Sequence, residues 1–328
     1  MCDPHALAKL LMSGDRRSLA RAITLIESSR PEHRTEADAL MEALSAGGVR
    51  QALRIALTGS PGVGKSTLID ALGIMLTQRR LKVAVLAIDP SSVRTGGSIL
   101  GDKTRMERLA REPLAFIRPT PTNTVLGGVA VTTKDTVFLC EQAGFDVIVV
   151  ETTGVGQSET VAAELTDVFV LLVAAAGGDE LQGVKRGIME KADLVMVTKA
   201  DGVLQAVAAQ TCAHYSSALK LLARRPSDPE NYPQAVTVSA LEPASVESFW
   251  THLKHVETWR RDSGVWQMRR ARQDVDWVKS ELRERVLLRA ECDPRYRETV
   301  ANLEAAVLRH GSAFHSKVRA QLREALQF

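Results

Sequence analysis

The sequence lacks several features that would have placed it in a class at once. Its four cysteines, Cys2, Cys140, Cys212 and Cys292, are scattered without a CxxC pair. That spacing argues against a disulfide framework or a zinc knuckle and fits free thiols in a reducing compartment. An excess of charge of one sign is also missing. The formal net charge is +3 over 328 residues, too near neutral to point to nucleic acid or a membrane surface as the main partner. No run of about 18 apolar residues occurs, so no membrane-spanning helix is expected. The opening MCDPHALAKLL holds no long apolar stretch of the signal-peptide kind, and acidic residues come early, against an organelle transit peptide. There is no internal repeat and no low-complexity tract. The composition, 45% hydrophobic and 25% charged, is ordinary for a globular protein, and a cytoplasmic location is the expectation.

Three segments differ in their apolar period. Up to residue 48, Leu7, Leu10, Leu11, Leu19, Ile23, Ile26, Leu40 and Leu44 recur at three- and four-residue spacing, which predicts short helices. Residues 49–262 instead carry near-continuous apolar runs at Leu53–Leu57, Val83–Ile88, Val147–Val150, Val168–Val173, Leu194–Val197 and Ala235–Val238. Such runs predict strands covered on both faces, hence an α/β fold with a doubly wound, mostly parallel sheet. From 263 to 328 the strands stop. Val275, Val278, Leu282 and Val286 mark one helix, Val300, Leu303 and Val307 a second, and Phe314, Val318, Leu322 and Leu326 a third.

The densest local signal is GSPGVGKS at Gly59–Ser66, directly after the first strand and before a helix. Gly59, Gly62 and Gly64 let the backbone close around phosphate, with N–H groups pointing inward; Val63 and Thr67 complete the stretch. Lys65 carries a positive charge to the β- and γ-phosphates, and the Ser66 hydroxyl can ligate magnesium. Further on, Glu151-Thr152-Thr153-Gly154 follows the strand at Val147–Val150. An acid at such a strand end holds magnesium directly or through water, and a glycine three residues later can sense the γ-phosphate.

Thr198-Lys199-Ala200-Asp201 follows the strand at Leu194–Val197. A carboxylate at Asp201 can accept from the N1–H and 2-amino group of guanine, which adenine does not offer. Leaving it unpaired costs about 1–3 kcal/mol, enough for selectivity. Lys199 can lie across the base, and Ser239-Ala240 can close the pocket behind it. Taken alone, the tetrapeptide reads equally well as a polar turn; its order after the phosphate loop and Glu151 favours guanine.

With these residues in place, IDPSS (Ile88–Ser92), TGGSILGDKTRM (Thr95–Met106), LGGVA (Leu126–Ala130), ETTGVGQSE (Glu151–Glu159) and GGDELQGVKRGI (Gly177–Ile188) resemble the MeaB/ArgK-type GTPases over nearly the whole chain. The resemblance implies a P-loop GTPase of the SIMIBI type that binds GTP or GDP with Mg2+. It also implies a chaperone role toward an adenosylcobalamin-dependent acyl-CoA mutase, usually methylmalonyl-CoA mutase. The cobalamin is met only through that partner, and the chaperone gates cofactor loading and protects the mutase. Homodimerisation through the C-terminal arm is implied as well. Residue by residue, Asp89 and Asp102 match acids flanking a first switch near the metal, alongside Ser66 and Glu151. Gly154 to Glu159 match the second switch. Asp179, Glu180, Gln182 and Lys185 lie in a third that answers to the mutase. Two departures stand out: Thr198 replaces the usual Asn of the base motif, and Thr153 stands where the family commonly has Val.

Lys65, Asp102, Glu151 and Gln157 are the candidate catalytic residues. Gln157 either orients the attacking water or faces the partner. No arginine is an obvious internal finger, so slow turnover that rises when a partner orders the switches is expected. The bland readings are a turn at Asp89-Pro90 capping a helix and an ordinary surface carboxylate at Asp102. His252 and His255, without a third ligand, read as packing or surface residues. Trp266 and Trp277 read as apolar area for a dimer or domain contact. Three rival readings are opposed by the residues present. A nickel-type metallochaperone wants His-rich or Cys-paired tracts that this chain does not have. An ATPase or kinase of basic amino-acid transport is opposed by Asp201. A scaffold with negligible turnover is opposed by the intact Lys65, Ser66 and Glu151.

Overall fold

Seven strands form one sheet in the order β3-β2-β4-β1-β5-β6-β7, every neighbouring pair parallel. The computed structural model describes residues 3–28, 30–48, 50–89, 106–121, 126–152, 158–175 and 186–310. The strands are β1 Leu53–Gly59, β2 Val83–Asp89, β3 Ala115–Pro121, β4 Val147–Thr152, β5 Val168–Ala174, β6 Leu194–Thr198 and β7 Gln234–Thr237. The helices are α1 Pro4–Met12, α2 Arg16–Ile26, α3 Pro31–Ser45, α4 Lys65–Gln78, α5 Glu107–Ala110, α6 Leu126–Gln142, α7 Ser158–Leu165, α8 Arg186–Lys191, α9 Gln205–Leu219, α10 Pro243–Asp262, α11 Val265–Cys292 and α12 Pro294–His310. The chain reverses its direction of winding at β1, so the crevice beyond the carboxyl ends of β1, β4 and β5 is where such a sheet takes its ligand.

β3 has no counterpart among the strands expected from sequence. Its apolar run is broken by Pro119 and Pro121, which remove two ladder donors. At the edge of the sheet only one side is paired, and prolines are tolerated there.

Although the strands read as unbroken apolar runs, their side chains still alternate. Ala56, Phe169 and Leu171 face one core, and Ile55, Leu57, Val170 and Leu172 face the other. The first core also takes Leu7, Leu11, Leu19, Ile23, Leu40 and Leu44 from α1–α3, so the N-terminal helices pack into the body of the molecule. The second takes Leu68, Leu72 and Leu76 of α4, and Phe249, Leu253 and Trp266 of α10 and α11.

The chain divides into two compact units, Met1–Trp277 and Val278–Phe328. Within the first, the edge of the sheet away from the crevice is held by buried ion pairs. Arg260 donates to Asp193 at 2.7 and 3.0 Å and to Asp228 at 3.1 Å. Arg270 bonds Asp167 at 2.6 Å and Glu141 at 3.2 Å, and Arg54 bonds Glu141 at 2.6 Å. Burial alone would raise the Asp193 carboxyl, but the Arg260 guanidinium holds it far below the usual carboxylate range. The second unit is helical as far as it is described, with Val278, Leu282, Val286 and Leu287 exposed on α11. The third helix expected there, Phe314–Leu326, lies outside the described residues.

Candidate functional site

β1 runs into the phosphate loop at Gly59, where a Cβ would collide with the Leu172 carbonyl oxygen and come within 3.1 Å of Val63 Cγ1. Only glycine lets the loop lie that close to β5. Gly62 and Gly64 take left-handed φ values of 79° and 99°, turning the chain so that α4 begins at Lys65. Gly64 caps α4 without a side chain, which leaves the first-turn N–H groups directed into the loop as an anion site. The buried Lys65 ammonium donates to the carbonyls of Gly59 at 2.7 Å and Ser60 at 3.0 Å, across the loop it is expected to serve.

Ser66, one residue further along α4, has its hydroxyl 3.2 Å from Glu151 Oε1 at the end of β4. Next to them, the Thr152 hydroxyl donates to that of Thr58, fixing the end of β4 against β1. A hydroxyl and a buried carboxylate converging beside a phosphate cradle are hard oxygen donors suited to Mg2+. Among the described residues there is no cluster of three His, Cys, Asp or Glu side chains able to hold a metal. Phosphate oxygens and the acids expected from the first switch would have to supply the other ligands. Asp89 ends β2, two residues past Ala87, the partner of Glu151 in the strand register. Its backbone is therefore beside the site, while its side chain is outside the described residues.

The base site forms where β6 ends. The Thr198 hydroxyl lies 2.6 Å from the Val63 carbonyl of the phosphate loop and 3.1 Å from that of Val173. The residue that departs from the family pattern thus ties the two loops together. Asp201 accepts a 2.5 Å hydrogen bond from the Ser239 hydroxyl, which itself accepts from the Leu241 N–H at 3.2 Å. The Ser239 N–H donates to Ser245 at 2.9 Å. Lys199 is exposed and left-handed at φ 58°. A cavity of about 290 Å³ opens between these elements, lined by Val63, Gly64 and Thr67 on one side and Thr198, Lys199, Asp201 and Ala240 on the other.

Phosphate loop, Glu151 and base residues therefore meet at one crevice. Asp102, Gly154, Gln157, Asp179, Glu180, Gln182 and Lys185 lie outside the described residues. Sequence reasoning missed Thr58, Ser245 and the wall residues Leu204 and Leu241. Thr58, Leu204 and Leu241 lie within three residues of the named motifs but carry no motif residue type, and Ser245 reaches the site through loop closure. His252 and His255 both contact Tyr232: the Tyr232 hydroxyl is 3.1 Å from His252 Nδ1, and its ring stacks on His255. Burial, with the charge of His255, pushes the His252 imidazole down. Trp266 is buried between the guanidinium groups of Arg261 and Arg270, and its indole N–H donates to Gln51. It serves the core of its own unit. Trp277 lies under the Lys134 ammonium.

A parallel sheet with this phosphate loop defines a P-loop nucleotide-binding fold. The comparisons agree. A family model described as methylmalonyl-CoA mutase-associated GTPase MeaB matches residues 19–295. The chain is 45% identical over 294 residues to GTPase ArgK of Escherichia coli, covering 88% of each. It is 43% identical over 307 residues to the mitochondrial methylmalonic aciduria type A homolog of Mus musculus, covering 91% of this chain and 74% of that one. A solved structure described as LAO/AO transport system kinase superposes with a TM-score of 0.74 at 34% identity, covering 98% of this chain and 96% of the other. The chain belongs to the MeaB family and is a GTPase.

Proposed function

We propose that this GTPase is a switch-gated chaperone for an adenosylcobalamin-dependent acyl-CoA mutase, in the first place methylmalonyl-CoA mutase. In this reading it acts in the cytoplasm as a homodimer joined through its C-terminal arm. It gates cofactor loading and protects or reactivates the mutase. The family's description as mutase-associated supports the partner, and the name of the Mus musculus relative points the same way.

The observation that carries the nucleotide reading is Asp201, oriented by Ser239 at a cavity shared with the phosphate loop. In this reading the Asp201 carboxylate accepts from guanine N1–H and the 2-amino group while Lys199 and Ala240 flank the ring. Lys65 exchanges the Gly59 and Ser60 carbonyls for the β- and γ-phosphate oxygens. Ser66 and Glu151, with Asp89 and Asp102, would hold Mg2+, which would supply neutralising charge to the phosphates. Phosphoryl transfer to water then needs positioning and charge stabilisation rather than a covalent intermediate. Residues 153–157 and 179–185 act as switches. Gln157 either orients water or meets the partner.

The test is GTP hydrolysis by the purified protein alone and with a candidate acyl-CoA mutase. Slow basal turnover that rises several-fold with the mutase supports the chaperone. Turnover of many per second without a partner would sink the gating model. The structural neighbour's description as a transport-system kinase raises a second reading, use of ATP. Asp201 weighs against it, since adenine offers no N1–H. A nucleotide panel showing ATP preferred over GTP would establish that second reading.

A further inference from the structure

We infer that Arg269 and Gln273 are positioning residues that couple the nucleotide site to the root of the C-terminal arm by gripping the far end of α7. The inference rests on reading residues 153–157 as the segment that senses the γ-phosphate.

α7 connects the carboxyl end of β4 to the amino end of β5. Its eight residues, Ser158–Leu165, cover about 12 Å. Its first residue follows β4, which ends beside Glu151, after only five intervening positions, 153–157. Its last turn reaches the opposite end of the strands, where Thr166 and Asp167 lead into β5. There the side chains of α11 close on it. Arg269 Nε donates to the Thr166 carbonyl at 3.0 Å, and its Nη2 donates to the Ala163 carbonyl at 3.1 Å. Gln273 Nε2 donates to the Thr166 carbonyl at 2.9 Å. These are carbonyls that a helix cannot satisfy internally at its carboxyl end, and a guanidinium there also meets the negative end of the helix dipole. One residue beyond, Asp167 is held by Arg270 of the same arm root.

The near end of α7 is built differently. Glu159 in its first turn is 2% exposed, yet its Oε2 has no hydrogen-bond partner. A buried carboxylate oxygen without a donor is costly, so that end of α7 is the less satisfied of the two. α7 is packed into the core through Ala162 and Ala163, so its displacement is that of a unit, and its far end is tied to α11 by three hydrogen bonds. A shift at the nucleotide end therefore reaches α11 through Ala163 and Thr166. The side contact between α7 and α8, Glu164 with Lys191 at 3.2 Å, is between exposed side chains and adds little grip. Because coupling between sites is reciprocal, whatever holds the arm root in turn biases the nucleotide site.

The test is hydrogen–deuterium exchange on the full chain with GDP or a non-hydrolysable GTP analogue, followed over residues 158–166 and 265–277. In the wild type both stretches should differ between nucleotides. In Arg269→Met and, separately, Gln273→Leu, the difference over 265–277 should vanish while that over 158–166 persists. Nucleotide affinities should stay within about twofold of wild type, since neither residue touches the cavity. Either variant suffices should the other fail to fold. Variants that keep the wild-type difference over 265–277 would overturn the coupling, as would a wild-type response confined to 158–166. No wild-type difference in either stretch would overturn both the coupling and the switch reading beneath it.

Discussion

Lys65 spends its ammonium on two carbonyls of its own loop, so phosphate binding there is an exchange of charge-assisted partners rather than the capture of a free charge. Lys65→Ala removes the cation that triphosphate needs. Affinity for GTP should fall on the order of 100-fold or more by titration calorimetry, with the fold unchanged by circular dichroism. Thr198 tests a different term. Its hydroxyl joins the end of β6 to the Val63 carbonyl. Thr198→Val should weaken GTP and GDP alike by about tenfold, the worth of one buried hydrogen bond, and leave the GTP-to-ATP preference intact. Asp201→Ala should instead collapse that preference. A Thr198 variant that loses base preference would show that the division of labour is wrong. Lys65, Ser66 and Asp201 stand out as site candidates in the sequence because each motif is local. The Thr198 tether does not, because its acceptors lie 135 and 25 residues away and meet it only across the sheet.

At the scale of elements, the first turns of α11 were the least legible. Four apolar residues between Val275 and Val286 announced the helix, but its root is polar in sequence and buried in fact. Arg270 and Gln273 are each 8% exposed. Charged residues read as solvent-facing until their partners are known, and those partners, Asp167 and Glu141, come from distant elements. β3 was missed for the opposite reason, its prolines hiding an apolar edge. The ion pairs give a stability prediction. Arg260→Ala leaves Asp193 buried with the Arg225 ion pair and the Phe169 N–H as its remaining partners, so the loss should sit near the low end of about 3–5 kcal/mol in urea unfolding. The pH dependence follows from the sign of the shift. The folded Asp193 carboxyl lies below its unfolded value of about 4. Its stabilisation is therefore fully present above that pH and is lost as pH falls toward the folded value. Wild type should lose stability steeply between about pH 4 and 2, and the Arg260 variant less steeply, as read by thermal melts across that range.

At the scale of the molecule, the unit from Val278 onward shows Val278, Leu282 and Val286 exposed at helical spacing on α11. That is more apolar surface than a solvated helix face needs. If the proposed homodimer uses it, Val278→Glu with Leu282→Glu should give a monomer by analytical ultracentrifugation and leave basal GTP turnover within about twofold. A dimer that survives would move the interface elsewhere. The sheet itself narrows where an interface can be. Among the described strands its outer members are β3 and the four-residue β7. Two of the seven residues of β3 carry no amide hydrogen. A strand from another chain laid along that border would find gaps in the row of donors it needs, so the sheet is poorly suited to growing by strand addition or to seeding fibrils there. Along that border, the proposed association with a second copy or a client enzyme would fall to helices and loops, the parts of a nucleotide switch able to let go again.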